Sequence, residues 1–227
     1  MTGASRWESP SVVGGFSTAA PNEVLLELVR RELGRRPGLR VLDLGCGAAR
    51  NASPIAALGA AVVGIDLAPA MLGAARRRVA AEGGAGRVSL ACAPMDRLPL
   101  DEKSVDLVVA HGVWNLARTA AELRRALDEA ARVARPGAAL FVFTFSRSTL
   151  RPDDRPLPGE PFVFTQFSGE PQCFLTEGQL EEELLRAGFE RDAPGALTEY
   201  GRPTLGPSLA RGGPAIWEGT FRRRRTV

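Results

Sequence analysis

The sequence predicts an α/β fold: a doubly wound, mainly parallel sheet of seven strands with helices on both faces. Three observations carry that prediction. Short apolar runs bounded by glycine and proline alternate with segments of helical period, which argues for strand–helix–strand units and a covered parallel sheet. The first of these runs, VLDLGCGAARN at residues 41–51, passes straight into two closely spaced glycines, as a strand does when it turns into a helix at a ligand crevice. At 227 residues, 44% hydrophobic and 24% charged, the chain suits one well-buried domain and is too short for two ordinary enzymes end to end.

In chain order, residues 21–33 carry Val24, Leu25, Leu28, Val29 and Leu33 at helical spacing, with Gly34 as the stop. Arg40–Leu44 and 61–65 are short apolar runs, and the alanine-rich stretch 50–58 between them reads as a helix. The pattern repeats as helix 69–81, strand 87–91, strand 105–110, helix 119–134 and strand 139–145. Thr119 with Glu122 makes a capping box, and Pro136 with Gly137 ends that helix. Between 146 and 175 five prolines and no helical period predict a long loop or lid. A second capping box, Thr176 with Gln179, introduces helix 179–186, which closes at Gly188. Strands at about 189–200 and 215–223 follow, separated by RPTLGPSLARGGP.

Charge and cysteine content narrow the function classes. The net charge of +3 and pI near 9.1 come from scattered arginines and the closing run Arg222, Arg223, Arg224 and Arg225, which reads as a solvated tail, so a nucleic-acid partner is not indicated. Cys46, Cys92 and Cys173 cannot all pair and do not lie at metal-ligand spacing, which predicts a reduced, cytoplasmic chain and no metal site. The first residues, MTGASRWESPSVVGGFS, hold no apolar signal core, and no apolar run approaches the roughly 18 to 20 residues needed to cross a bilayer.

The glycine loop is where chemistry is expected. Gly45 and Gly47 let the backbone turn sharply and approach a ligand, and Asp66, closing the second strand, can accept bonds from both hydroxyls of a ribose. A dinucleotide fits poorly, because the third glycine of G-x-G-x-x-G would fall on Arg50, and Asp43 would face a diphosphate. An adenosine-type ligand carrying an ammonium and a sulfonium in place of phosphates would gain from Asp43.

The order VLDLGCGAARN, VVGIDLAPAML, APMDRLPLDEKSVDLVVAHGVWN, ARVARPGAALFVFTFS resembles the class I S-adenosylmethionine-dependent methyltransferases over about residues 35–146. The resemblance implies a Rossmann-like sheet with its last strand antiparallel. It implies a single domain over 1–227: an N-terminal lid and helix (1–34), a cofactor-binding core (35–146), a substrate-side loop or lid (147–178), and a C-terminal helix and strands (179–227). By the same resemblance the loop from Asp43 through Gly45, Cys46 and Gly47 lies against the methionine part of S-adenosylmethionine, and Asp66 binds its ribose. Leu67 with Met71 or Leu72 flanks the adenine, and Met95 and Asp96 meet the adenine edge. Arg50 joins the cofactor site; with Asn51 it also occurs in the tellurite-resistance and thiopurine-like branches. His111 stands near the methyl group and the substrate. Three positions depart from the pattern: Ala49 replaces the third glycine of D-x-G-x-G-x-G, Pro94 stands where many relatives carry the adenine-loop acid, and Ala138 replaces a turn glycine.

Methyl transfer is an in-line displacement, so holding the reactants in line can supply on the order of 7 to 11 kcal/mol without a dedicated acid. If the acceptor must lose a proton, His111, the sole histidine, with an unperturbed pKa near 6.5, is the candidate base. Substrate contacts are expected from Trp7, Phe16, Trp114, Asn115 and Tyr200, with Phe162, Phe164 and Phe167 on the proline-rich lid and Trp217 in the core. The reading is a methyltransferase acting on a small molecule at O, N, S or C and leaving S-adenosylhomocysteine, as a monomer or homodimer. The alternatives are an RNA or protein methyltransferase and a non-catalytic cofactor-binding protein.

Overall fold

The computed structural model describes residues 6–193, 196–201 and 213–225. The chain opens with a 3₁₀ turn, Arg6–Glu8, and helix α1, Pro10–Thr18, started by Pro10 at its first turn and by the Ser9 side chain accepting from Val12 N–H. Gly14 and Gly15 hold down the helix propensity of α1, so it leaves no periodic signal in the sequence. Helix α2, Glu23–Arg35, is capped by Asn22 and runs through Gly34, which therefore does not end it. A buried stripe of Leu25, Leu26, Leu28 and Val29 holds it to the sheet.

Then come β1 (Arg40–Leu44), α3 (Ala52–Ala57), β2 (Ala61–Asp66), α4 (Pro69–Ala81), β3 (Val88–Cys92), β4 (Val105–His111), α5 (Ala120–Val133) and β5 (Ala134–Phe145). These follow the expected order, with one correction: α5 ends at Val133 and the backbone enters β5 at once, so Pro136 and Gly137 lie inside the strand. Ala134 already pairs with Val105, the register shifts before Leu107, and Gly137 takes a left-handed φ of 79° to make the irregularity.

The proline-rich lid is more ordered than expected. It holds a 3₁₀ turn, Arg147–Thr149, and a hairpin of β6 (Val163–Phe164) and β7 (Gln172–Cys173). Helix α6, Glu177–Arg186, has the full capping box of Thr176 and Gln179. The expected strand 189–200 is two strands, β8 (Phe189–Arg191) and β9 (Leu197–Tyr200), both antiparallel to β10 (Ile216–Arg223). Of the stretch between β9 and β10, 202–212 lie outside the described residues.

The sheet order is β3-β2-β1-β4-β5-β10-β8, with β9 also on β10. Strands β1 to β5 pair in parallel and β10 runs antiparallel to β5, as the resemblance implied. Strand order reverses between β1 and β4, so a crevice opens at their carboxyl ends. Period two sets its walls. Leu42 and Leu44 join the apolar cluster under α5 and α6, while Val41 joins the cluster under α2 and α3. Asp43 shares the Val41 face and is buried there at 1% exposure.

Arg222 and Arg223 belong to β10 and are not a solvated tail: Arg222 bonds Glu32 at 2.5 Å and Asp192 at 2.6 Å. Among the described residues no helix is long and apolar enough to cross a membrane.

Candidate functional site

The loop after β1 is held by its own backbone. Gly45 N–H and Cys46 N–H both donate to Ile65 O, at 2.7 and 3.0 Å, which ties it to the end of β2. Gly45 has φ 70°, and a Cβ there would stand 2.7 Å from the Val113 side chain. Gly45→Ala therefore combines a left-handed residue with overpacking and should cost about 2 to 4 kcal/mol, read as a fall in the denaturation midpoint. Ala49, in the third glycine's place, also sits at positive φ, 60°, while fully buried, so it fits for space but carries backbone strain.

Asp66 clamps the same loop. Its Oδ2 accepts Gly47 N–H at 2.8 Å and its Oδ1 accepts Ala68 N–H at 2.8 Å, which leaves a lone pair on each oxygen for further donors. Beside it, Asp43 Oδ2 is buried with no hydrogen-bond partner among the described residues. Burial, with Asp66 adding to it and Arg50 opposing, pushes the Asp43 carboxyl up to about 7. Such an orphaned acid is what a cationic ligand would relieve. Cys46 is buried, and burial, then the Asp43 and Asp66 charges, push its thiol up, so it stays protonated.

His111 ends β4 on the same rim. Arg50 Nη2 donates to its ring, at 2.9 Å from Nδ1, and the imidazole stacks on Phe143 with centroids 4.0 Å apart. Burial and then the Arg50 cation push its pKa down to about 3. A shift in that direction lowers the driving force for His111 as a base below that of an unperturbed imidazole. Since it is the sole histidine, its ring proton NMR signals should stay fixed from pH 5 to 8; a titration midpoint between 6 and 7 would mean that the ring is neither buried nor held by Arg50 as described.

Three residues absent from the sequence reading complete this rim: Asn22, Phe143 and Glu218. Asn22 caps α2 with Oδ1 and donates from Nδ2 to Glu218 Oε2 at 2.6 Å, with His111 Nε2 3.4 Å from the same nitrogen. Its backbone N–H donates to Asn51 Oδ1 at 3.1 Å, which gives Asn51 a partner inside the fold. Tyr200, half-exposed on β9, is hydrogen-bonded to Glu218, and burial followed by that bond pushes its phenol up. An asparagine before an apolar period was a readable capping signal; its partner 196 residues away was not.

The other expected contacts divide. Leu67 is 66% exposed beside Asp66, whereas Met71 is buried with Ala48, Ala68 and Ala74 against Trp7, Val12 and Val13. Trp7 and Phe16 pack edge to face at 5.8 Å, and Phe16 lies 3.8 Å from the Cβ position of Gly47, so both cover the glycine loop and not the His111 rim. Met95 packs on the core, and Asp96 pairs with Arg125 at 3.0 Å. Trp114 and Asn115, each 2% exposed, are core residues. Phe164 and Phe167 join Phe145 and Phe174 in an aromatic cluster and Phe162 is buried in the main core, so these lid aromatics are anchors. Trp217 is core, with Nε1 donating to Leu175 O at 2.9 Å.

Comparison with known proteins gives this geometry a family. Residues 42–142 match the model of a methyltransferase domain. A probable S-adenosylmethionine-dependent methyltransferase of Mycolicibacterium smegmatis is 32% identical over 203 residues, 87% of this chain and 69% of that protein. A demethylmenaquinone methyltransferase of a Parafrankia species is 41% identical over 137 residues, 54% of this chain; the match spans about half, 52%, of that relative's length. A crystal structure of an S-adenosylmethionine-dependent methyltransferase from Methanosarcina mazei shares the fold, with a TM-score of 0.69 at 20% identity over 86% of this chain and 98% of that one. The matched segment starts in β1 and ends in β5, the part of the chain that forms the glycine loop and the Asp66 clamp and carries His111. A likeness that runs from there over most of the chain supports a single conclusion: the protein belongs to the family of S-adenosylmethionine-dependent methyltransferases.

Proposed function

We propose that the chain binds S-adenosylmethionine and moves its methyl group to a small-molecule acceptor, O, N, S or C, leaving S-adenosylhomocysteine. The observation that carries this is the buried Asp43 oxygen, without a hydrogen-bond partner among the described residues, beside the Asp66 clamp. One acid is placed for a cation and the other for a diol, and the glycines between them leave room for the ligand. The residues fit the cofactor: Asp43, Gly45, Cys46 and Gly47 would face its methionine part, Asp66 its ribose, and Leu67 its adenine. When bound, the cofactor supplies a methyl carbon already activated by a sulfonium.

The chain's own part is placement. Arg50 donates to Nδ1 of the neutral His111 imidazole, which lies flat on Phe143, so His111 forms a fixed wall at the rim and is not a proton acceptor in this reading. Trp7 and Phe16 close the glycine loop from water, and Tyr200 with Glu218 presents polar groups on the acceptor side. In this division 35–146 is the cofactor core, 1–34 the cover, 147–178 the substrate side, and 179–227 completes the sheet. The free, exposed Cys92 supports a cytoplasmic setting, and we assign the protein as a monomer or homodimer without a nucleic-acid partner.

Titration calorimetry with S-adenosylhomocysteine and with NAD, followed by transfer of labelled methyl to a panel of phenols, hydroquinones, amines and thiols, tests the proposal. Cofactor binding with label on a panel member is expected; NAD binding with no response to S-adenosylhomocysteine would sink it. The buried state of Trp114, Asn115 and Phe162 favours a second reading, cofactor binding without turnover. That reading requires tight binding and no labelled product with any acceptor.

A further inference from the structure

A cavity of about 710 Å³ opens at the amino-terminal end of the sheet, the opposite end from the glycine loop. The four closing arginines, 222–225, line it together with Arg35, Arg36 and Arg135, against three carboxylates among the described residues, Glu32, Asp106 and Glu190. The carboxylates do not neutralise it. Arg36 and Arg135 share the single carboxylate of Asp106, and Arg224 reaches Glu190 at 3.4 Å with both side chains more than half exposed. Arg225 has no ion-pair partner among the described residues and lies over Gly137, its Nε 3.3 Å from where a Cβ would stand. Gly137, at a left-handed φ of 79°, thus makes room for that guanidinium at the cavity wall.

The lining also says what is not recognised. Among the described residues it contains no aromatic side chain on which a base could stack, and its apolar part is Leu39, Pro136 and Ala138. What remains is a concave array of guanidinium forks, whose geometry matches phosphate oxygens in pairs. The volume falls in the range of small-molecule sites, about 300 to 1,000 Å³.

We propose that this cavity binds a compact polyanion carrying several phosphate groups, through Arg224, Arg225, Arg135 and Arg36, at a site separate from methyl transfer. The phosphate chain is the ligand, whether free or as part of a nucleotide. The shared bonds to Asp106 and Glu190 are exchanged for bonds to phosphate, and the ligand bridges β10 to the ends of α2 and β5.

Inorganic tripolyphosphate, with ATP as a second arm, tests this at matched ionic strength by calorimetry and thermal denaturation. Tripolyphosphate at 1 mM should raise the wild-type midpoint by roughly 5 °C. The exposed pair Arg224→Glu and Arg225→Glu should lower tripolyphosphate affinity at least tenfold, while Arg76→Glu on α4, away from the cavity, should leave it unchanged. Retained binding of S-adenosylhomocysteine by the double variant serves as its folding check, and Arg225→Gln alone, which removes one charge, should give a smaller loss. Equal affinity for ATP and tripolyphosphate supports the proposal. ATP binding without tripolyphosphate binding overturns it, and so does an equal midpoint shift in wild type and double variant, which is the signature of general salting-out.

Discussion

Asp66→Ala should weaken S-adenosylhomocysteine binding by about 10² to 10⁴-fold at pH 7.5, with the fold retained. The carboxylate has two tasks. It accepts Gly47 N–H and Ala68 N–H at 2.8 Å each, and so fixes the loop's approach to β2. In the proposed complex its remaining lone pairs accept two ribose hydroxyls, charge-assisted bonds worth roughly 1.5 to 3 kcal/mol each. Their joint loss sets the range, since about 1.4 kcal/mol is tenfold in affinity. Asp66→Asn separates the tasks: one amide oxygen can still serve a backbone N–H, but the charge is gone, so an intermediate loss is expected. Calorimetric affinities within threefold of wild type for Asp66→Ala would show that the ribose is not held here.

How far the sequence disclosed the site depended on how local each feature was. The glycine loop, Asp66 and the helix–strand alternation around them were legible because glycine spacing, capping residues and period-two runs are set by neighbours in the chain. The polar rim was not: Asn22, His111 and Glu218 meet only because α2, β4 and β10 converge, and no spacing rule spans 196 residues. The lowered pKa of His111 was not legible for the same reason, since it depends on burial against Phe143 and on Arg50. The arginine run shows the converse error. Composition made 222–225 look like a tail, but Phe221 and Arg222 pair with Leu140 and Ala139 of β5, and that long-range pairing draws the run onto the body of the protein. Aromatics on the lid looked like substrate contacts for want of any sign that Phe145 and Phe174 would cover them.

Asp43→Asn should move stability and cofactor affinity in opposite directions. A carboxyl whose folded pKa stands near 7 against an ordinary 3.8 binds a proton more readily in the folded state. Its favourable contribution is complete below pH 4 and is lost as pH rises through 7, by about 4 kcal/mol for three pH units. Above pH 7 the free enzyme carries a buried charge that Arg50 offsets only in part. The asparagine variant should therefore match wild type near pH 4 and exceed it by up to about 4 kcal/mol at pH 8 in urea denaturation. His111 acts with the reverse sign. Its folded pKa, near 3 against 6.5, means that stability falls as pH drops below 6.5. In wild type the two slopes oppose each other between pH 4 and 6.5. Removing Asp43 should expose the histidine slope, and His111→Gln should expose the carboxyl slope. The cost at Asp43 makes sense only if a cation recovers it. S-adenosylmethionine, with its sulfonium and ammonium, should expel the proton from Asp43, so that binding at pH 6 releases close to one proton, measurable as a buffer-dependent heat in titration calorimetry. Asp43→Asn should abolish that proton release and weaken S-adenosylmethionine more than S-adenosylhomocysteine, which has one positive charge fewer. A variant less stable than wild type at pH 8, or proton release unchanged by the mutation, would remove Asp43 from this role.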